Sequence, residues 1–315
     1  MTSSPDVRLS RRHFLTACAA ATASLASARR SHAKDAADPW LQMSVKAGMI
    51  QLPGDASWID RLSAAKNAGF AGVEPQTGND LDVDAIRAAA TDVGITIDGT
   101  VGGYHWKIRH TDPDATVRAE AAKRLDRSLR QTAELGAETF LIVPGHGKDG
   151  DAATVRQRAS DAIRNALPLA EQLGVSILIE NVWNEMFYDP RGDVNQSADD
   201  LAAFVDSFDS DRVGVQFDLG NHWKFGDVAE WATTLGDRIK KLDIKGFSRA
   251  ESKFTDVGEG DVDWAKARRA LANIPFTGWV AAEVKGGDEA RLRTIADQID
   301  TALRCSRPVE DIAAG

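Results

Sequence analysis

Residues 173–181 read LGVSILIEN, and this stretch holds the pattern that decides the fold. A glycine follows the last residue of a helical stretch, Leu173, and a short apolar run comes next. Two polar residues, Glu180 and Asn181, close that run. A glycine after a helix is typical of a left-handed C-cap, and a short apolar run is typical of a buried strand. The stretch therefore predicts a helix end, a buried strand and a polar strand end in succession.

The same unit of strand and helix recurs along the chain. The predicted strands are Val45–Ile50, Gly72–Pro75, Ile95–Val101, Thr139–Pro144, Ser176–Val182, Val213–Leu219, Ile239–Ile244 and Trp279–Val284. The amphipathic stretches between them are Trp58–Ala68, Asp84–Val93, Thr116–Leu135, Thr154–Leu173, Ala198–Phe208, Val228–Leu235, Trp264–Ala272 and Asp288–Leu303. Eight such units predict an α/β fold, a single (β/α)8 barrel of parallel strands. The alternative, an open doubly wound sheet, should have a glycine-rich phosphate loop after its first strand, and residues 51–54, QLPG, are not one.

The first 33 residues are predicted to be an export signal rather than part of the fold. Residues 10–15 read SRRHFL, which is typical of a twin-arginine signal, and an alanine-rich apolar stretch follows. We therefore expect a periplasmic or secreted protein, carried by the twin-arginine translocase. A short lead-in (34–44), the barrel (45–305) and a C-terminal tail (306–315) make up the rest. Cys18 leaves with the signal, so Cys305 remains alone and no internal disulfide is expected.

The charge balance limits the classes of partner. The formal net charge is −9, with 47 acidic residues against 38 lysines and arginines. Such a chain is a poor nucleic-acid binder, and it has no polybasic face for stable membrane association. A small carbohydrate is an easier ligand. The sequence leaves open whether the chain forms a homo-oligomer.

The carboxyl ends of the strands form the active-site face of such a barrel. Carboxylates stand at the ends of the last four predicted strands and would repel one another, so either some stay protonated or a cation holds them together. An oxygen-rich set of ligands favours Mg²⁺ or Mn²⁺ over Zn²⁺. If a cation is bound, one divalent metal, Mn²⁺ or Mg²⁺, is expected, with Glu180, Asp218, Asp243 and Glu283 as candidate ligands; taken singly, each acid could instead cap the next helix.

Other polar and aromatic residues follow the strand ends and are candidates for substrate binding. They are His105, Trp106, His146, Asn181, Trp183, Asn221 and His222. Indole rings stack well on sugars, although packing at the barrel rim is an equal alternative for the tryptophans. For His105 and His146, the alternative is a loop histidine bonded to the backbone. Glu74, which ends the second predicted strand, either binds the substrate or braces its loop, and bracing is the favoured interpretation.

Three short motifs resemble the xylose-isomerase-like TIM-barrel superfamily of sugar phosphate isomerases and epimerases. They are LIEN (178–181), FDLGN (217–221) and AAEV (281–284), and the glycine-rich GEGDVD (258–263) is similar to a loop of that family. In the family, Glu, Asp, His and Glu from the last four strands bind one metal. The departure lies on the seventh strand, where the family has His-x-Lys and this chain has Asp243-Ile244-Lys245. Asp243 is either a ligand or a partner of Lys245 alone, in which case His222 or Asn221 reaches the metal.

The resemblance implies a metal-dependent sugar isomerase or epimerase that acts on a ketose or related polyol-ketone through a cis-enediolate. Glu180 and Glu283 would face each other across the reacting carbon, and Lys245 would stabilise the enediolate oxygen. A lyase acting on a 3-keto-glycoside or inosose could use the same barrel and metal. A non-catalytic sugar-binding barrel is the third interpretation. If Asp243 is a ligand, Asp243→His is expected to restore the family's ligand set and retain the metal.

Overall fold

Ten short strands of one parallel sheet trace the eight positions of a barrel. The computed structural model describes residues 39–307 and Ile312; the predicted export signal lies outside these residues. The strands are β1 (Leu41–Lys46), β2 (Gly72–Glu74), β3 (Gln76–Thr77), β4 (Thr96–Ile97), β5 (Thr100–Gly102), β6 (Thr139–Ile142), β7 (Ser176–Glu180), β8 (Val213–Asp218), β9 (Ile239–Ile244) and β12 (Gly278–Ala282). The second barrel position is divided between β2 and β3, and the third between β4 and β5. The sheet closes because β1 joins β12 to β2, while the divided second and third positions pair with each other through β2 with β4 and β3 with β5. The predicted (β/α)8 barrel is therefore confirmed.

Helices follow the barrel strands and form the outer layer. They are α1 (Trp58–Asn67), α2 (Val83–Val93), α3 (Ala115–Glu134), α4 (Ala152–Leu173), α5 (Asp199–Asp206), α6 (Leu219–Trp223), α7 (Val228–Leu235), α8 (Trp264–Ala272) and α9 (Glu289–Leu303). Gly94 and Gly174 cap their helices in the left-handed region, at φ 69° and 73°, as their places in the sequence predict. The short α6 and an antiparallel hairpin, β10 (Gly246–Ser248) with β11 (Lys253–Thr255), were not predicted. None of the helices in the described part of the chain is long and apolar enough to cross a membrane.

The first strand lies four residues earlier than its apolar pattern predicts. β1 begins at Leu41, inside the stretch interpreted as a lead-in, and residues 47–49 form a 3-10 turn. The sequence is misleading here because Ser44 and Lys46 face the interior of the barrel, where an apolar run would be expected of a buried strand. Both make polar contacts there, Ser44 with Asp98 and Lys46 with Glu74.

The two faces of each barrel strand have different surroundings. In β8, every residue is buried, but Phe217 lies outside the barrel against Trp231 of α7, with ring centroids 6.3 Å apart. Gln216 points inward, where its amide reaches Glu74 and Asp243 of other strands. Neighbouring residues of a strand point to opposite faces, so Asp218 shares the inward face with Gln216. The apolar core therefore lies between strands and helices, and the barrel interior is polar.

Candidate active site

Four carboxylates meet at the carboxyl end of the barrel. Glu180 is the last residue of β7, Asp218 the last of β8 and Asp243 the last but one of β9, while Glu283 directly follows β12. One carboxylate oxygen from each lies within 4.8 Å of the others. Parallel strands bring their carboxyl ends to the same face of the barrel, which is why residues so distant in sequence converge.

Each of the two aspartates has one buried oxygen that is hydrogen-bonded and one that lies beside a lysine ammonium group. Asp218 Oδ1 accepts a hydrogen bond from the Asn221 backbone N–H (2.8 Å), and Asp243 Oδ1 accepts one from Gln216 Nε2 (2.8 Å). The Oδ2 atom of each aspartate is buried without a hydrogen-bond partner among the described residues, although a lysine ammonium lies nearby. Buried carboxylate oxygens normally have partners. The all-oxygen donor set and these two oxygens fit a hard divalent cation.

Two lysines contact different members of the cluster. Lys245 Nζ lies 2.8 Å from Asp218 Oδ2 and 2.6 Å from Glu283 Oε2. Asp243 instead has Lys46 as its cationic partner, with 3.0 Å between Nζ and Oδ2. The interpretation that Asp243 pairs with Lys245 alone is therefore wrong.

A second layer of charged residues lies beneath the cluster, inside the barrel. Lys46 Nζ contacts Glu74 Oε2 (2.7 Å), and Lys241 Nζ contacts both Glu74 Oε1 (2.8 Å) and Asp98 Oδ2 (2.6 Å). Ser44 donates a hydrogen bond to Asp98 Oδ2 at 2.8 Å. Glu74 therefore braces the barrel interior, rather than the loop after its strand, and it does so between two lysines that sequence reasoning missed.

The missed residues have a simple sequence signal. Gln216 and Lys241 stand two places before Asp218 and Asp243 on their strands. Residues two apart on a strand face the same side. Once the strand-end acids are known, the residue two places earlier in each strand is therefore a candidate for contact with the site.

The charges of these two layers do not balance. In the described part of the chain, six carboxyl groups (Glu74, Asp98, Glu180, Asp218, Asp243 and Glu283) share three ammonium groups (Lys46, Lys241 and Lys245). Three negative charges are therefore in excess when all nine groups are ionised. A divalent cation would remove most of that excess.

The pKa values show where positive charge is short. Burial raises the pKa of Asp218 to about 7 and that of Asp243 to about 6, with Lys245 and Lys46 respectively opposing the shift. Burial, Glu283 and Asp243 raise the pKa of Glu180 well above its usual range. Burial also acts on Glu74, but Lys241 and Lys46 lower its pKa to about 2. Burial acts on Glu283 too, but Lys245 and Lys46 lower its pKa. Within the upper cluster, burial therefore outweighs the lysines only at Glu180, Asp218 and Asp243.

His222 is not available as a metal ligand. Its ring is buried, with Nδ1 3.2 Å from the Tyr188 hydroxyl and Nε2 3.1 Å from the Asp227 carbonyl oxygen. The ring also stacks on Trp231, with centroids 3.9 Å apart. Both nitrogens are therefore engaged away from the cluster, and the interpretation of His222 as a replacement ligand or substrate contact is wrong.

The two predicted asparagines support the cluster. Asn181 Oδ1 accepts from the Asp218 backbone N–H (2.7 Å), and its Nδ2 donates to the Asp218 carbonyl oxygen and to the Tyr188 hydroxyl (both 2.9 Å). Asn181 therefore holds the end of β8 and has its polar atoms occupied. Asn221 Nδ2 lies 3.4 Å from Glu180 Oε1, at the edge of the acid cluster.

The remaining predicted residues lie in the loops after the strands. His105 is buried and accepts a hydrogen bond from the Val143 backbone N–H, and burial lowers its pKa to about 3. His146 accepts from the Lys148 backbone N–H and caps a short turn, as the loop-histidine alternative expects. Trp106 is 53% exposed. Trp183 stacks on Phe254 of the hairpin, with ring centroids 4.8 Å apart, and donates to the Asn221 carbonyl oxygen.

Comparison with known proteins agrees with this geometry. The sequence profile described as xylose isomerase-like TIM barrel matches residues 62–308, so the chain belongs to that family. A putative L-ribulose-5-phosphate 3-epimerase of Escherichia coli (strain K12) is 26% identical over 247 residues, 72% of this chain and 83% of that protein. A D-psicose 3-epimerase of Agrobacterium fabrum is 26% identical over 215 residues, 65% of this chain and 70% of that protein.

Two further comparisons define how far the likeness reaches. An uncharacterized protein of Methanocaldococcus jannaschii is 23% identical over 161 residues, 48% of this chain and 52% of that protein. The crystal structure of a 3-keto-D-glucoside 4-epimerase from E. coli superposes with a TM-score of 0.68 at 17% identity, covering 84% of this chain and 100% of that one. At this identity, the structural likeness shows the fold. The named relatives in sequence are sugar epimerases, and an isomerase or epimerase is the class that they indicate.

Proposed function

We propose that this protein is a divalent-metal-dependent sugar isomerase or epimerase in which Glu180 and Glu283 move a proton at carbon. The observation that carries the proposal is the convergence of these two glutamates with Asp218 and Asp243, one oxygen from each lying within 4.8 Å of the others. Both glutamates therefore reach the same small space at the mouth of the barrel. The sugar epimerases among its relatives support the substrate class.

The metal would be held by Glu180, Asp218, Asp243 and Glu283, and this oxygen set favours Mn²⁺ or Mg²⁺. When bound, the metal would supply Lewis-acid polarisation of the sugar's oxygens. The Oδ2 atoms of Asp218 and Asp243 support this assignment, because they accept no hydrogen bond from the described residues and have only a lysine ammonium group as a cationic neighbour there.

The chain's own residues then have distinct tasks. One glutamate removes the proton from the carbon beside the carbonyl group, and the other returns a proton. Return to the opposite face of the same carbon gives epimerisation, whereas return to the neighbouring carbon gives isomerisation. Lys245, whose ammonium already bridges Asp218 and Glu283, is placed to donate to an oxygen of the substrate as negative charge develops there.

Deuterium exchange tests the proposal directly. Mn²⁺-loaded protein is incubated in D₂O with a panel of free ketoses and 3-keto-glycosides, and products are followed by NMR. We expect deuterium at the carbon beside the carbonyl group of at least one ketose, and we expect chelation to abolish the exchange. Loss of water or of an aglycone would identify a lyase instead. If no compound in the panel takes up deuterium, the proposed function is wrong. The sugar-binding barrel is then the better description.

We also propose that the protein is exported through the twin-arginine pathway, on the strength of residues 10–15, SRRHFL. Replacing both Arg11 and Arg12 by Lys is expected to leave the protein in the cytoplasm with its signal uncleaved, because the translocase recognises the arginine pair. Fractionation and the mass of the purified chain measure this. Unchanged delivery to the periplasm would contradict the proposal.

A further inference from the structure

Lys46 places an ammonium group directly against the acid cluster. It contacts Asp243, the residue that stands where the family usually has a histidine. It is the last residue of β1 and pairs in register with Glu74 of β2. Its Nζ lies 3.0 Å from Asp243 Oδ2 and 2.7 Å from Glu74 Oε2. The Lys46 side chain is 12% exposed, so it lies inside the barrel but is not sealed from the mouth.

Neighbouring strands fix the geometry of this contact. Glu74 holds Lys46 and is itself held by Lys241, at 2.8 Å, from below. Gln216 Nε2 donates to Asp243 Oδ1 at 2.8 Å and also lies 3.3 Å from Glu74 Oε1. One oxygen of Asp243 is thus occupied by an amide. The other lies 3.0 Å from the Lys46 ammonium group and accepts no hydrogen bond from the described residues, so it retains a lone pair for a ligand.

We propose that Lys46 and Asp243 act together as one electrically neutral metal-ligand unit. Asp243 supplies the oxygen, while Lys46 supplies the compensating charge and holds the carboxylate in place. The inference rests on the proposed function, because it concerns the same metal. It explains how an aspartate serves where the resemblance leads one to expect a neutral histidine: the added negative charge is offset 3.0 Å away.

The structure revises the expectation for Asp243→His. An imidazole ligand is neutral, so residue 243 would no longer offset the charge of the Lys46 ammonium group. That ammonium group would then lie beside a divalent cation. Like charges at such short range repel strongly when they are shielded from water. The histidine that suits the rest of the family is therefore expected to be a poor ligand here unless the lysine is removed with it.

A double-variant cycle on Mn²⁺ affinity tests the unit. Isothermal titration of chelator-treated protein at about pH 8, where imidazole is neutral, measures the affinity. Asp243→His alone is expected to bind Mn²⁺ at least about tenfold more weakly than the wild type, because no carboxylate then offsets the repulsion between the Lys46 ammonium group and the metal ion. Asp243→His combined with Lys46→Met is expected to return to within about threefold of the wild type, since the two charges of the unit are then removed together.

Lys46→Arg is the matched control, because it keeps the charge. Asp243→His with Lys46→Arg must therefore stay weak. Asp243→Asn, which keeps the shape of the aspartate, replaces Asp243→His should the histidine variant fail to fold, and the same recovery by Lys46→Met is expected.

The outcomes separate the inference from the proposed function. Wild-type affinity in Asp243→His, or weak binding that Lys46→Met does not restore, would overturn the neutral unit while leaving the proposed function intact. If the wild type itself takes up no Mn²⁺, the metal assignment fails and the unit fails with it. That result is visible in the first titration, before any variant is made.

Discussion

Glu180→Gln is expected to lower turnover about 10²–10⁴-fold, the usual contribution of a positioned acid or base. The amide keeps the size of the side chain but cannot take up a proton from carbon. It also replaces a charged oxygen of the cluster by a neutral one, so Mn²⁺ should bind more weakly. Exchange of substrate hydrogen with D₂O measures the first effect, and calorimetric titration measures the second.

The loop after the same strand provides a matched control. Glu185 is exposed and lies five positions beyond Glu180, so Glu185→Gln makes the same chemical change away from the cluster. It is expected to leave both turnover and Mn²⁺ affinity unchanged. If Glu180→Gln retained more than about a tenth of wild-type turnover at saturating Mn²⁺, Glu180 would have to be removed from the proton-transfer step.

Lys241→Met is expected to lower the free energy of unfolding by about 3–5 kcal/mol, the usual effect of removing one partner from a buried ion pair. The Lys241 side chain is 1% exposed and compensates the charges of two carboxylates, Glu74 and Asp98, whose side chains are fully buried. Burial already raises the pKa of Asp98 in spite of the lysine. Without the ammonium group, both acids would have to be buried uncompensated or take up protons. Urea denaturation of chelator-treated protein measures the loss.

Two companion variants show whether the loss comes from charge. Lys240→Met changes the neighbouring residue of the same strand, which points outward and is exposed, and it should alter stability by less than about 0.5 kcal/mol. Asp98→Asn added to Lys241→Met should recover part of the loss, because it removes one of the acids left without a partner. Equal stability of the Lys240→Met and Lys241→Met proteins would show that the interior ion pairs contribute nothing to folding.

Strand and helix periodicity was enough to predict the architecture. Seven of the eight predicted strands overlap closely with the observed ones, for example Ile239–Ile244 and β9, which coincide. Their apolar runs are long enough to mark the strand even where an inward residue, such as Gln216 in β8 or Lys241 in β9, is polar. β1 is the exception, because its inward residues Ser44 and Lys46 are polar and the apolar run continues into a 3-10 turn.

The sequence by itself determined that acids would stand at the ends of the last four strands, because order along the chain and the direction of parallel strands fix that edge. Only the tertiary structure decided how their charges are compensated. Lys46 lies on β1 and Asp243 on β9, far apart in the sequence. In the folded barrel, the lysine Nζ lies 3.0 Å from the aspartate Oδ2. Two of the three candidate histidines, His105 and His222, likewise resemble site residues in sequence but have backbone and hydroxyl partners. Charge pairing depends on distances across a closed barrel, and no local pattern in the chain encodes them.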